Sequence, residues 1–176
     1  MKRVVHGLVL LVVVLLALSQ YVLRAWQGRE PAPQAGPEFS GPVVHVADGD
    51  TIEVLHSGRP ERIRLNAVDC PEQGQAFGTA ARQFTSSLVS GQDVTVRSSG
   101  QDQYGRTIGD VLLPDGRSLN QELVRAGMAW WYRAYSNDRV LGDLESEARS
   151  ERRGLWSDPH PTPPSQWRRQ NNPATP

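Results

Sequence analysis

Four carboxylates fall where predicted strands end: Asp48 and Asp50 in "ADGDT", Asp69 and Glu72 in "VDCPE". Strands disfavour Asp and Pro, so these endings call for a reason. Asp50 and Asp69 come from different strands. If those strands pair, two carboxylates meet at one rim. Carboxylate, backbone-carbonyl and water oxygens suit a hard cation such as Ca²⁺. Turn chemistry explains Asp48-Gly49 equally well at this level. A zinc cage is not offered, because Cys70 is the only cysteine and His6, His45, His56 and His160 lack ligand spacing. Pro71 removes a backbone N–H beside Cys70. Arg64 and Arg106 supply planar forks that match phosphate oxygens, although a lone arginine also serves as a solvated surface charge. Arg64 lies five residues before Asp69, an odd offset that puts them on opposite faces of a regular strand unless its end twists or bulges.

The elements that must position these groups are short. Val43 to Val46, Thr51 to Leu55, Ile63 to Val68, Val94 to Arg97 and Thr107 to Leu113 read as strands. Asp115-Gly116 marks a turn after the last. Thr79 to Val89 reads as a helix, with Ala80, Ala81, Phe84 and Leu88 on one face and Gly91 at its stop. Ser118 caps a second helix, Leu119 to Ala126, with Gln121 at the capping-box position. Arg139 to Arg152 forms a third, with Leu141, Leu144 and Ala148 as its apolar stripe. Five short strands with interleaved helices predict an α+β domain built on a small closed barrel.

The 176 residues carry equal numbers of basic and acidic side chains. Between Gly41 and Asp158, 13 arginines stand against 17 Asp and Glu residues. The broad basic surface of a non-specific nucleic-acid binder is therefore not expected, and any polyanion must be gripped locally. One cysteine makes no internal disulfide, so packing must supply stability.

Residues 1–26 open with Lys2 and Arg3 before the apolar run Leu8 to Leu18. A cleaved signal, with Ala17 and Ser19 before the cut, fits this pattern. An uncleaved membrane helix from Val4 to Leu23, about 20 residues, fits it slightly better. Either exports the domain, and Lys2 and Arg3 hold the N-terminus inside. Residues 27–42 read as a Pro/Gly linker, residues 43–157 as the folded domain, and residues 158–176 as a Pro-rich tail. Either Trp167 docks this tail on the domain or the tail is disordered.

Together, "VADGDTIEV", "RIRLNAVDCPE", "QAFG", "DQYGR", "LNQELVRAGMAWWY" and "ERRGLW" resemble the staphylococcal nuclease (thermonuclease) family in order and spacing. The resemblance runs from about Val43 to Trp156. It implies a five-stranded OB-fold barrel with about three helices, here preceded by an N-terminal hydrophobic helix. It implies a monomeric Ca²⁺-dependent endonuclease acting on DNA and RNA, with single strands preferred and 3′-phosphate ends left. By match, Asp50, Asp69 and the Cys70 backbone carbonyl hold the metal. Arg64 and Arg106 hold the scissile phosphate, and Glu72 lies beside the attacking water. Tyr104 and Tyr135 are candidates for substrate contact. Gln103 departs from the pattern, standing where the best-known member has lysine. The alternative is a catalytically weak module of the same fold that binds single-stranded nucleic acid or a protein partner.

Overall fold

A computed structural model of the chain describes residues 37–171. The hydrophobic N-terminal run, with its signal and membrane alternatives, lies outside them. Among the described residues no helix is long and apolar enough to cross a membrane.

Among the described residues seven strands and four α-helices follow in chain order. They are β1 (Glu38–Val46), β2 (Thr51–His56), β3 (Arg59–Leu65), β4 (Val68–Asp69), α1 (Gly78–Val89), β5 (Asp93–Gln101), β6 (Thr107–Leu112), α2 (Leu119–Arg125), β7 (Trp130–Trp131), α3 (Arg139–Ser150) and α4 (Pro164–Asn171), with a 3₁₀ turn at Gly154–Ser157 before α4. Five strands close a barrel in the order β1-β2-β3-β6-β5, and β5 returns to β1. Four seams are antiparallel, and β3 with β6 is parallel. This is the α+β barrel expected from the alternation of apolar residues. Val43, Ile52, Val54, Ile63, Leu65, Val94, Val96 and Val111 point inward and are buried. The helices add Ala81, Val89, Leu119, Leu123, Leu141 and Leu144 to the same core. Ser118 caps α2 as expected, its hydroxyl accepting from the Gln121 N–H at 3.4 Å.

Three expectations need correction. Strand β1 starts at Glu38, inside the expected linker, and pairs with β5 from Glu38↔Arg97 to Pro42↔Asp93. Phe39 stacks on His56 at 4.0 Å, so these residues are packed barrel, not spacer. The third strand does not run to Val68. It ends at Leu65, the chain turns through Asn66 and Ala67, and Ala67 takes a left-handed φ of 61°. Val68 and Asp69 then pair with Trp131 and Trp130 in a separate two-stranded sheet. Finally, the tail contributes a fourth helix, α4, where about three were expected.

The turn at residues 66–67 is pinned from α2. The buried Asn120 carboxamide donates to the Asn66 carbonyl at 2.9 Å, and its oxygen accepts from the Val111 N–H at 3.0 Å. From α3, the buried Glu145 accepts from the Trp131 N–H at 3.2 Å and from Arg133 at 2.8 Å, which fixes β7 beneath Asp69.

Candidate active site

The site is assembled at the rim where the β1–β2 turn meets the exit of β3. The Asp48 carboxylate accepts from the Asp50 N–H at 3.0 Å, an Asx turn that closes the loop. Helix α1 holds that loop from below, since the Thr85 hydroxyl donates to the Gly49 carbonyl at 2.6 Å. The Asp50 carbonyl accepts from the Leu65 N–H at 2.8 Å. Asp50 is thereby locked against the end of β3. Its Oδ2 accepts from the Cys70 N–H at 2.7 Å, and its Oδ1 takes the Thr51 hydroxyl at 3.3 Å.

Arg64 lies between the two aspartates. Its Nε is 3.3 Å from Asp50 Oδ1, and its Nη2 donates to Asp69 Oδ1 at 3.1 Å. Its Nη1 donates to the carbonyls of Leu65 and Val68 at 2.9 and 2.8 Å. The odd-offset objection is answered here: the turn at residues 66–67 brings Asp69 back to the Arg64 side, and Arg64 itself ties that turn. Burial, the largest influence, works against the Arg64 charge. Asp50 and then Asp69 outweigh it and hold its pKa above the ordinary value.

Asp50 is pushed up to about 7. Burial is the main cause; Arg64 and the Cys70 N–H oppose it, whereas Asp48 and Asp69 add to it. Burial likewise pushes the Cys70 thiol well up, which keeps it neutral. Cys70 acts here through its backbone, and its side chain packs in the core.

Glu72 follows on the same loop. Its N–H donates to the Gln75 side-chain oxygen at 3.0 Å, and its carboxylate is about one-third exposed. Gly78 opens α1 directly behind it, and a Cβ at Gly78 would collide with the Glu72 carbonyl oxygen.

Arg106 stands apart. Its Nε pairs with Asp102 at 2.7 Å, and its guanidinium lies 5.7 Å from the centre of the Tyr104 ring. Among the described contacts none joins it to Arg64 or the aspartates. In the parallel seam Arg64 pairs with Ile108, and Arg106 precedes the first residue of β6, Thr107. Tyr104 and Tyr135 are both well exposed, at 68% and 73%, so neither belongs to the core. Tyr132 packs edge-on against Tyr135 at 4.7 Å. Burial and then the Asp69 charge raise the Tyr132 pKa.

Sequence reasoning missed one member of the cluster. Arg168 of α4 donates to both oxygens of Asp69 at 3.1 Å and also pairs with Glu72 Oε1. It lies 99 residues from Asp69 in a tail whose composition carries no motif.

Among the described residues no three His, Cys, Asp or Glu side chains converge as a ready metal cage. Asp50 and Asp69 offer a two-carboxylate site that backbone carbonyls and water must complete. That donor set is all oxygen, and it suits a hard cation.

A profile described as "Staphylococcal nuclease homologue" matches residues 62–158. Arg64, Asp69, Glu72 and Arg106 lie within that segment, whereas Asp50 precedes it and Arg168 follows it. A protein of Escherichia coli O157:H7 named "Uncharacterized endonuclease" is 50% identical over 131 residues, 74% of this chain and 86% of its own. A "Micrococcal nuclease" of Shigella flexneri is 44% identical over 151 residues, 80% of this chain and 87% of its own. The Arabidopsis thaliana "Staphylococcal-like nuclease CAN1" is 35% identical over 108 residues, 61% of this chain and 33% of its own.

Proposed function

The chain belongs to the staphylococcal nuclease family and is a nuclease, a phosphodiester hydrolase; from that premise we propose that it is an exported, Ca²⁺-dependent endonuclease. Its substrates are DNA and RNA, with single strands preferred, and its products carry 3′-phosphate ends. It works as a monomer, held at the membrane by its hydrophobic N-terminal segment or released if that segment is cleaved.

The observation that carries this reading is the double ion pair of Arg64 with Asp50 and Asp69, at 3.3 and 3.1 Å, with Glu72 three residues beyond Asp69. Asp50, Asp69 and the Cys70 carbonyl are the groups that would hold Ca²⁺. The bound cation supplies neutralising charge to the phosphoryl oxygens. Arg64 and Arg106 bind the same phosphate and counter the charge that grows as phosphorus becomes five-coordinate. Glu72 orients a water and takes its proton as the water oxygen bonds to phosphorus. The bond from phosphorus to the 5′ oxygen breaks, and that oxygen leaves with a proton from solvent. Tyr104 and Tyr135 offer exposed faces on which nucleobases stack.

The test is digestion of denatured DNA by the full-length protein with Ca²⁺ or with EGTA. Cleavage is expected to stop under EGTA and to fall at least about a hundredfold in Glu72→Gln. Digestion unaffected by the chelator or by the substitution rejects the mechanism. Saturable single-strand binding without hydrolysis would identify the binding module instead.

A further inference from the structure

Arg168 reaches the carboxylates from outside the barrel. The segment that carries it crosses the face beside Glu72. The Gln75 side chain donates to the Thr162 carbonyl at 2.7 Å, Pro164 is buried, and Trp167 lies over Gly74. From there the guanidinium grips Asp69 with two parallel bonds of 3.1 Å and also engages Glu72. Asp69 Oδ1 already receives Arg64, so both oxygens of Asp69 are taken by arginine.

We propose that Arg168 is a built-in competitor for the divalent cation: α4 seats its guanidinium on Asp69 and Glu72, and cation and substrate engage those carboxylates only as it withdraws. This rests on the reading of Asp69 as a cation ligand. A second guanidinium on a carboxylate that already takes Arg64 adds repulsion for a dication, and its two-pronged bond occupies Asp69 Oδ2, which Arg64 leaves free. A Glu72 oxygen in the same ion pair is a poorer acceptor for a water proton. The arrangement is also built to yield. Helix α4 has eight residues, too few to stand alone, and its one fully buried residue is Pro164. Release would be felt at the reacting end, because Gln75 holds the tail with its amide and the Glu72 N–H with its oxygen.

The experiment is calorimetric titration of Ca²⁺, without nucleic acid, into the full-length protein and its Arg168→Gln and Arg169→Gln variants. Arg169 is the exposed neighbour on α4 and controls for loss of charge. Arg168→Gln is expected to bind Ca²⁺ roughly three- to tenfold more tightly, allowing for the partial exposure of the pair. Arg169→Gln is expected to match the unaltered protein. The Ca²⁺ concentration for half-maximal cleavage should fall in the same ratio for Arg168→Gln. Trp167→Ala, which loosens α4 and keeps Arg168, should shift affinity the same way by less, and it keeps the test open if Arg168→Gln does not fold. Equal or weaker Ca²⁺ binding by folded Arg168→Gln and Trp167→Ala overturns the proposal alone. So does loss of cleavage at saturating Ca²⁺ with affinity unchanged, which would make Arg168 a substrate contact. No Ca²⁺ binding by any of these proteins removes the cation reading, and the competitor with it.

Discussion

Asp50 bears the largest electrostatic strain of the carboxylate cluster. Its pKa of about 7 lies above that of an unfolded Asp, about 3.9. Between those values the folded chain keeps a proton that the unfolded chain has released. Stability from this source is full below about pH 4 and is lost as the pH rises through 7. Urea unfolding in chelator, from pH 4.5 to 7.5, should therefore show stability falling with pH, and Asp50→Asn should remove that fall. Equal slopes in the two proteins would reject the shifted carboxyl. That Asp50, Arg64, Asp69 and Glu72 lie together was legible in the sequence through the order and spacing of the motifs that resemble the nuclease family, since singly each reads as turn or surface chemistry. Gln75 was not, because a glutamine in "PEQGQ" carries no sign that its amide and oxygen face different segments. Arg168 was hidden for a plainer reason, since only folding brings it across from the far end of the chain.

Helix α1 does more at the element scale than cover the barrel. Its Thr85 fixes the Asp48–Asp50 loop, and its first residue, Gly78, leaves room for the Glu72 carbonyl. A Gly78→Ala variant must move either the helix start or the Glu72 loop. It is expected to lose about 2 kcal/mol of stability and most of its cleavage. An alanine variant with unchanged melting and unchanged activity would show that the contact is soft. The five barrel strands could be read ahead because inward and outward residues alternate along them. The end of β3 could not. Nothing in the residue type of Ala67 announces a left-handed φ; that conformation is imposed by Asn120 and Arg64 gripping the carbonyls around the turn. The β4–β7 pair has two residues in each strand, too few for any periodicity to register.

At the scale of the whole molecule, balanced charge and a mildly acidic domain leave the grip on nucleic acid to a few arginines. If Arg64 and Arg106 make the proposed phosphate contacts, the salt response is shallow, with the logarithm of affinity for a single-stranded oligonucleotide falling at a slope of about −1.4 against log salt. The Glu72→Gln variant allows this to be measured without cleavage. A slope several times steeper would reveal an extended basic track instead. The barrel and its helices were anticipated from patterning, whereas the tail was misjudged because proline-rich composition conceals a short helix held by its contacts with the barrel. One feature of the topology bears on time as well as space. Arg64 and Arg106 flank the parallel β3–β6 seam, which joins residues far apart in the chain, such as Ile63 and Thr107. Contacts of such long sequence separation form slowly, since α1 and β5 must be accommodated first. During synthesis, a nascent chain that has emerged only through Glu72 holds both aspartates, Arg64 and the glutamate, yet it has no second arginine beside them. The β3–β6 seam, and with it the closed barrel, is out of reach until the chain beyond Thr107 is available.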